Sequence, residues 1–177
     1  MKHVILMRHA KAERQAPSGE DFDRSLTERG QEDARIIAAL IGRDPALRPT
    51  AALVSPAART EETFATVVAA LGLEDIPVRR DAAYYNAPAR VWRAAIEAWV
   101  DERPEAPGAL LVVGHNPGIQ ALALEFFELA AAGGEPVAKI RDRFPTAATV
   151  ILSFDAAGRP AYDAILFPSE HGGGAGE

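Results

Sequence analysis

Three times along this chain, a short apolar run leads through a polar turn into an amphipathic helix. The apolar runs are residues 4–7, 51–54 and 110–113, and each is short enough to be a buried strand. After each turn, apolar residues recur at the i, i+3, i+4, i+7 spacing that marks one face of a helix. The pattern therefore predicts three strand-to-helix units in succession.

The residues at the predicted helix ends agree with this division. Thr27 is a suitable N-cap for the first helix, Gly72 lies where a left-handed C-cap is expected, and Pro117 stands near the first turn of the third helix. A fourth helix is predicted before the third unit, because Trp92 and Trp99 share one helical face. At this spacing the two tryptophans are typical of a core and not of a stacking platform.

The last part of the chain has a different pattern. Residues 148–154 and 161–167 are rich in β-forming side chains and flank a turn-forming stretch, which predicts a closing hairpin. Residues 133–136 are predicted to be an internal linker. Residues 1–168 are expected to form a single domain, followed by a flexible glycine-rich tail at residues 169–177.

Strands that alternate with helices predict an α/β fold. We expect a three-layer α/β/α sandwich around a mainly parallel sheet, with the hairpin at its C-terminal end. The glycines of the tail have no helix after them, so they form neither a dinucleotide-binding loop nor a phosphate-binding loop.

Composition excludes several classes of protein. The chain has 177 residues, with 19 Lys and Arg against 25 Asp and Glu, and this net charge of −6 argues against nonspecific binding to nucleic acid or to an anionic membrane. The absence of cysteine excludes a disulfide framework, a thiolate metal site and a cysteine nucleophile. The best candidate for a membrane span is interrupted by Glu125 and Glu128, and the apolar run near the N-terminus is too short for a signal peptide. We expect a cytoplasmic protein that binds neither nucleic acid nor membranes.

Arginine and histidine side chains follow the ends of three predicted strands. Arg8 and His9 come after the first, Arg59 after the second and His115 after the third. The carboxyl ends of parallel strands meet at one edge of a sheet, so these side chains are expected to share a cleft. Two arginines and two histidines make an anion site, and the planar guanidinium groups suit phosphate oxygens. Backbone N–H groups of the helix after Ser55 would add to this preference.

A histidine beside such a site can act as a nucleophile. With its other ring nitrogen held by a carbonyl, His9 could attack phosphorus and carry the phosphoryl group until water removes it. A lone histidine after a strand is more often a hydrogen-bonded edge residue. Only the presence of Arg8, Arg59 and His115 in the same predicted cleft favours the catalytic interpretation of His9. The two site histidines lack partners at metal-ligand spacing, so neither a metal nor another cofactor is expected.

The other candidates carry less weight. His3 is interpreted as a residue on the strand surface and His171 as part of the tail. Lys11 could contact the ligand or could be solvated, and the sequence does not decide between the two.

The candidate site residues lie in four separate motifs along the chain. They read Leu-Met-Arg-His-Ala-Lys-Ala at residues 6–12, Arg-Ser-Leu-Thr-Glu-Arg-Gly at 24–30, Ser-Pro-Ala-Ala-Arg-Thr-Glu-Glu-Thr at 55–63 and Val-Gly-His-Asn-Pro-Gly at 113–118. Together they resemble the motifs of the histidine phosphatase superfamily, and in particular its short phosphohistidine phosphatases of the SixA type. Ala10 stands where glycine is commoner, a variant that SixA-like proteins share. With residues 144–148 and the hairpin, the resemblance covers about residues 3–167.

This resemblance implies a phosphoglycerate mutase-like fold and a role for each matching residue. It implies that His9 is the nucleophile and that Arg8, Arg59 and His115 bind the phosphoryl oxygens. It also implies that Arg24 and Asn116 are further substrate contacts. Because His9 must be neutral to attack, we expect the neighbouring arginines to lower its pKa.

The sequence indicates the general acid and the substrate less directly than it indicates the nucleophile. Larger relatives of this family carry an acidic residue in an added segment, where this chain has only residues 81–88, and Asp81, Asp21 and Glu13 remain open as candidates. The imidazole of a phosphohistidine can be protonated before it leaves, so it needs less help from an acid than an alkyl ester does. The resemblance thus favours phosphohistidine in a phosphocarrier or phosphotransfer protein as the substrate. The alternatives are a phosphomonoesterase for a small metabolite and a non-catalytic module that binds phosphoproteins.

Overall fold

The computed structural model describes residues 2–103 and 108–174, which contain a six-stranded sheet in the order β3-β2-β4-β1-β5-β6. The strands are β1 (His3–Arg8), β2 (Pro49–Val54), β3 (Val78–Arg80), β4 (Ala109–Gly114), β5 (Thr149–Phe154) and β6 (Pro160–Leu166). Strands β3, β2, β4 and β1 run parallel to one another, whereas β5 is antiparallel to both β1 and β6 and forms a hairpin with β6. The predicted mainly parallel sheet with a closing hairpin is confirmed.

Five α-helices accompany the sheet. They are α1 (Glu28–Ile41), α2 (Ala58–Ala70), α3 (Ala89–Glu102), α4 (Gly118–Leu129) and α5 (Glu135–Asp142), and short 3-10 helices lie at Asp21–Asp23, Pro45–Leu47, Ala82–Tyr84 and Pro168–His171. The Thr27 hydroxyl accepts a hydrogen bond from the Gly30 N–H, so it caps α1 as predicted. Gly72 follows α2 with a positive φ of 60°, as a left-handed cap requires.

The helices cover both faces of the sheet and produce three layers. Val4 and Leu6 of β1 belong to the apolar cluster that contains the buried side chains of α3 and α4. Ile5 and Met7 belong to the opposite cluster, with the buried side chains of α1 and α2. Because successive side chains of a strand alternate between faces, a buried strand of this kind is apolar throughout. Trp92 and Trp99 are buried in the first cluster, as predicted.

One predicted linker is partly helical. Residues 133–136 were expected to connect elements, but α5 begins at Glu135. Proline is compatible with the first turn of a helix, and Pro136 occupies that place. Only Ile140 of α5 is buried, so the sequence carries no apolar stripe that would indicate this helix.

Part of the predicted tail packs against the rest of the chain. Residues 168–171 form a 3-10 helix, and the Gly174 N–H donates to Asp33 Oδ1 at 2.8 Å. Asp33 is a buried carboxylate of α1, and a buried carboxylate needs hydrogen-bond donors. The expectation of an unstructured tail is therefore wrong for residues 169–174, and the remainder of the predicted tail lies outside the described residues.

The sheet order decides where the functional side chains meet. Strands β2 and β1 flank β4 directly, and the register pairs Arg8 with Gly114 and Val54 with Val113. The residues that follow these three strands therefore emerge at the same edge. None of the helices in the described part of the chain has the length and apolar composition that a membrane crossing needs. The cytoplasmic location stays a prediction.

Candidate active site

A cavity of about 400 Å³ lies at the carboxyl ends of β1, β2 and β4. It brings together all six side chains that the sequence singled out for the site, which are Arg8, His9, Arg24, Arg59, His115 and Asn116. Further residues line the same cavity, namely Lys11, Ala12, Arg14, Asp21, Asn86 and Thr146.

His9 is held at both its backbone and its ring. Its N–H donates to the Gly114 carbonyl at 2.9 Å, and its carbonyl accepts from the Ala147 N–H at 3.0 Å. The ring Nδ1 lies 2.8 Å from the Ala10 carbonyl oxygen. A carbonyl can only accept, so Nδ1 carries the proton and the lone pair of the neutral ring is on Nε2. This is the tautomer that a nucleophilic histidine needs.

The surroundings of His9 keep it neutral. Burial lowers its pKa to about 4, and the charges of Arg59, Arg8 and Arg24 act in the same direction. The hydrogen bond to the Ala10 carbonyl opposes this shift without reversing it. The expected lowering is confirmed, although burial is a larger cause than the arginines.

His115 packs against His9 and is almost completely buried. The two ring centroids are 5.3 Å apart, and the His115 Nε2 lies 2.7 Å from the Ser55 hydroxyl. Burial, together with His9 and Arg59, lowers the pKa of His115 to about 3. Its Nδ1 is buried without a hydrogen-bond partner among the described residues. If the Ser55 hydroxyl donates to Nε2, Nδ1 carries a proton that it can donate to an anion.

Ser55 is a site residue whose role the sequence did not indicate. We expected the turn at Ser55 to lead into a helix whose N–H groups face the anion. The helix α2 does begin shortly after this turn, and the orientation of its first N–H groups towards an anion stays a prediction. The Ser55 side chain itself bonds the second histidine. A serine directly after a buried strand was the available signal, but its partner lies 60 residues further along the chain.

Arg8 and Asn116 share one carbonyl. The Arg8 Nη1 donates to the Phe144 oxygen at 2.7 Å, and the Asn116 amide donates to the same oxygen at 3.2 Å. The Asn116 amide also donates to the Gln120 side chain. Asn116 therefore lines the cavity, but its N–H groups are engaged within the protein.

Asp21 links Arg59 to Arg24. The Arg59 Nη1 donates to the Asp21 carbonyl at 2.7 Å and its Nη2 to the carboxylate Oδ2 at 2.9 Å. The Arg24 Nη1 donates to Oδ1 at 2.7 Å, and the Tyr85 hydroxyl donates to Oδ2 at 2.7 Å. Four hydrogen bonds donated by side chains from three parts of the chain thus hold Asp21.

This arrangement decides against Asp21 as a ready acid. The Tyr85 hydroxyl and then Arg24 hold the pKa of Asp21 well below its usual range, so the carboxylate is ionised. Glu13 and Asp81 do not line the cavity; the Glu13 carbonyl accepts from Arg24 and the Asp81 carboxylate caps the 3-10 helix at Ala82–Tyr84. Of the three candidates, only Asp21 therefore lines the cavity, and it does so as a carboxylate.

The cavity is basic in an acidic chain. Its described lining contains five cationic side chains, Arg8, Lys11, Arg14, Arg24 and Arg59, against the single carboxylate of Asp21. Such an excess favours an anionic ligand. In the described part of the chain, no group of three or more His, Asp or Glu side chains is arranged to hold a metal ion.

Comparisons with known proteins find solved structures of the same fold. A structure from Agrobacterium tumefaciens assigned as the phosphohistidine phosphatase SixA is 32% identical, covers 94% of this chain and 98% of its own, and superposes with a TM-score of 0.76. A structure from Nakamurella with the same assignment is 26% identical, with 94% and 96% covered and a TM-score of 0.74. A SixA protein histidine phosphatase complexed with tungstate shares the fold at 24% identity, with 95% and 98% covered and a TM-score of 0.74.

A search of curated proteins gives no match. The profile of the histidine phosphatase superfamily (branch 1) matches residues 4–153, a range that contains every residue named at the site. The chain therefore belongs to the histidine phosphatase superfamily, branch 1.

Proposed function

We propose that this protein removes phosphoryl groups from phosphohistidine in other proteins, through a covalent phosphohistidine intermediate on His9 and without a metal. Phosphatase activity itself is what membership of the superfamily supports. The observation that carries the finer proposal is the state of His9. It is neutral, its Nδ1 is held by the Ala10 carbonyl, and it lies in a cavity lined by arginines.

In the first step, the Nε2 lone pair attacks phosphorus. The new N–P bond forms as the bond from phosphorus to the leaving imidazole nitrogen breaks. That nitrogen keeps the electron pair, and the proton already on the other ring nitrogen makes the departing imidazole neutral. Arg8, Arg59 and His115 hold the phosphoryl oxygens, where cations stabilise the charge of the transferred group.

In the second step, water attacks phosphorus and the bond to Nε2 breaks. The electron pair of that bond returns to His9 as its lone pair, and the proton of the water leaves with the phosphate or the solvent. Inorganic phosphate is released, and the neutral histidine is ready for another cycle.

The choice of phosphohistidine rests on the missing acid. Asp21 is ionised, and the other two carboxylates considered do not line the cavity. An imidazole leaving group can carry its proton before the P–N bond breaks, whereas an alkoxide needs a donor at the site. The site therefore suits a phosphoramidate better than an alkyl phosphate.

The test compares phosphate release from a histidine-phosphorylated carrier protein and from small phosphate esters, with an alkaline quench that preserves acid-labile bonds. We expect a preference for the carrier and a loss of turnover of at least about a thousandfold in His9→Ala, because the nucleophile is removed. His171→Ala is the matched control, since His171 is exposed and does not line the cavity.

Other results would identify the alternatives. A preference for esters that still depends on His9 would indicate a metabolite phosphomonoesterase. Binding of phosphate without release from either substrate would indicate a phosphoprotein-binding module. A wild-type level of activity in His9→Ala would contradict the covalent intermediate.

A further inference from the structure

The cationic side chains around the cavity fall into two groups. Arg8, Arg24 and Arg59 are close enough to His9 to influence its titration, and two of them bond Asp21. This inner group has a net charge of about +2, which balances the charge of one phosphoryl dianion.

Lys11 and Arg14 form the outer group. Both line the same cavity, but neither has a carboxylate within ion-pair distance among the described residues. Arg14 is exposed, and Lys11 is half-buried.

The backbone that carries Lys11 and leads to Arg14 is anchored at residues 11–13. The Lys11 carbonyl accepts from the Thr27 N–H at 2.9 Å, and the Glu13 N–H donates to the Ser25 carbonyl at 2.8 Å. Between these bonds, Ala12 forms an antiparallel bridge with Leu26. Residues 11–13 are thus fixed against residues 25–27, and Lys11 has a defined place at the cavity.

A single phosphoryl group leaves this outer charge unmatched. The chain is acidic as a whole, so two cations beside the phosphoryl pocket with no carboxylate partner among residues 2–103 and 108–174 contrast with its general composition. A substrate that carries a second anionic group near its phosphoryl group would match them.

We infer that Lys11 and Arg14 form a second anion subsite, which takes acidic side chains flanking the phosphohistidine of a protein substrate. The inference rests on the proposed function and names the chemistry of the partner surface. An acidic surface would be steered towards the cavity and held in register with His9.

The experiment uses two phosphohistidine peptides that differ only beside the histidine. One has glutamates on both sides, and the other has serines. The wild-type protein is expected to show a kcat/KM about tenfold higher for the acidic peptide at low salt, with the ratio falling as salt screens the charges. In Lys11→Ala/Arg14→Ala the ratio is expected to fall to about one, and a general loss of activity cancels in this ratio.

The matched control is Arg35→Ala/Arg43→Ala, which removes two exposed cations that do not line the cavity. It should keep the wild-type preference. Equal rates for the two peptides with the wild type, or an undiminished preference in Lys11→Ala/Arg14→Ala, would overturn the subsite. So would loss of the preference in the control. A small bisphosphate that outcompetes the acidic peptide only when Lys11 and Arg14 are present would assign the subsite to a second phosphate and overturn the acidic protein partner.

A binding measurement separates this inference from the proposed function. His9→Ala keeps all five cations, and its affinity for the same two peptides is measured by calorimetry with and without the Lys11 and Arg14 substitutions. Absence of turnover by the wild type, with the acidic preference in binding retained, would overturn the enzyme and keep the subsite. Turnover without a preference for the acidic peptide in either rate or binding would overturn the subsite and keep the enzyme.

Discussion

At the scale of single residues, the site depends on one carboxylate that is not itself a candidate nucleophile. Asp21 accepts hydrogen bonds from Arg59, Arg24 and Tyr85. Because Arg59 is only 4% exposed, its positive charge needs a partner of opposite sign. Asp21 takes one N–H from each terminal nitrogen of Arg59, and a guanidinium has five N–H groups, so further donors of Arg59 can serve phosphoryl oxygens. Asp21 is in this view a positioning residue for the two arginines.

Replacing Asp21 by asparagine is therefore expected to weaken the binding of inorganic phosphate about tenfold, measured as its inhibition constant against an aryl phosphate. A hydrogen bond to a charged group contributes about 1.5–3 kcal/mol, and the amide cannot accept from both arginines and Tyr85 as the carboxylate does. Removing the negative charge also removes its repulsion of phosphate, which strengthens binding. This effect is small, because the Asp21 side chain is 49% exposed and the repulsion is screened. Asp23→Asn, in the same 3-10 helix, is the control. Tighter phosphate binding in Asp21→Asn would mean that the carboxylate competes with the ligand.

At the scale of elements, the site requires two helices to begin very close to neighbouring backbone. A Cβ on Gly118, the first residue of α4, would lie 1.9 Å from the Ala87 carbonyl oxygen. A Cβ on Gly30, in the first turn of α1, would lie 2.1 Å from the Lys11 carbonyl oxygen. Gly30 ends the motif at residues 24–30, and Gly118 ends the motif at residues 113–118. The close approach to a carbonyl oxygen explains why each of these positions is a glycine. The two contacts place the start of α4 against residue 87, just before α3, and the start of α1 against the segment that follows His9.

Gly118→Ala is expected to lower the free energy of unfolding by at least about 2 kcal/mol, because a fixed carbonyl and not a flexible side chain must move. Gly133→Ala is the control, since a Cβ there meets nothing within 4 Å. Urea denaturation of the two variants measures the difference. Equal midpoints at an equal denaturant slope would show that the start of α4 adapts without cost.

At the scale of the whole molecule, the cavity makes the fold sensitive to acid. His9 and His115 are buried and neutral, with pKa values lowered to about 4 and about 3. In the unfolded chain both take up protons near pH 6.5, the ordinary value for histidine. Below that pH the unfolded state binds more protons than the folded state, so stability decreases as the pH falls.

The free energy of unfolding is expected to fall between pH 6.5 and pH 4, with about 3 kcal/mol of the loss arising from His9. Chemical denaturation at a series of pH values measures this dependence. His9→Ala should have a visibly shallower slope in this range, whereas His171→Ala should keep the slope of the wild type. A His9→Ala slope equal to that of the wild type would show that His9 titrates normally in the folded protein.

The sequence by itself determined the order and type of most elements and the meeting of His9, Arg59 and His115. Apolar periodicity reports which face of an element is buried, and parallel strands bring their carboxyl ends to one edge of a sheet. The ends of α1 and α2 were also predictable, because Thr27 and Gly72 act on neighbouring backbone.

Only the tertiary structure decided the partners of the side chains. Asp21 meets Arg59 across 38 residues, Ser55 meets His115 across 60, and Asp33 meets Gly174 across 141. These pairs depend on how helices and loops pack against each other, and no local pattern records that packing. For the same reason, α5 with its single buried residue and the packed residues 169–174 could not be predicted.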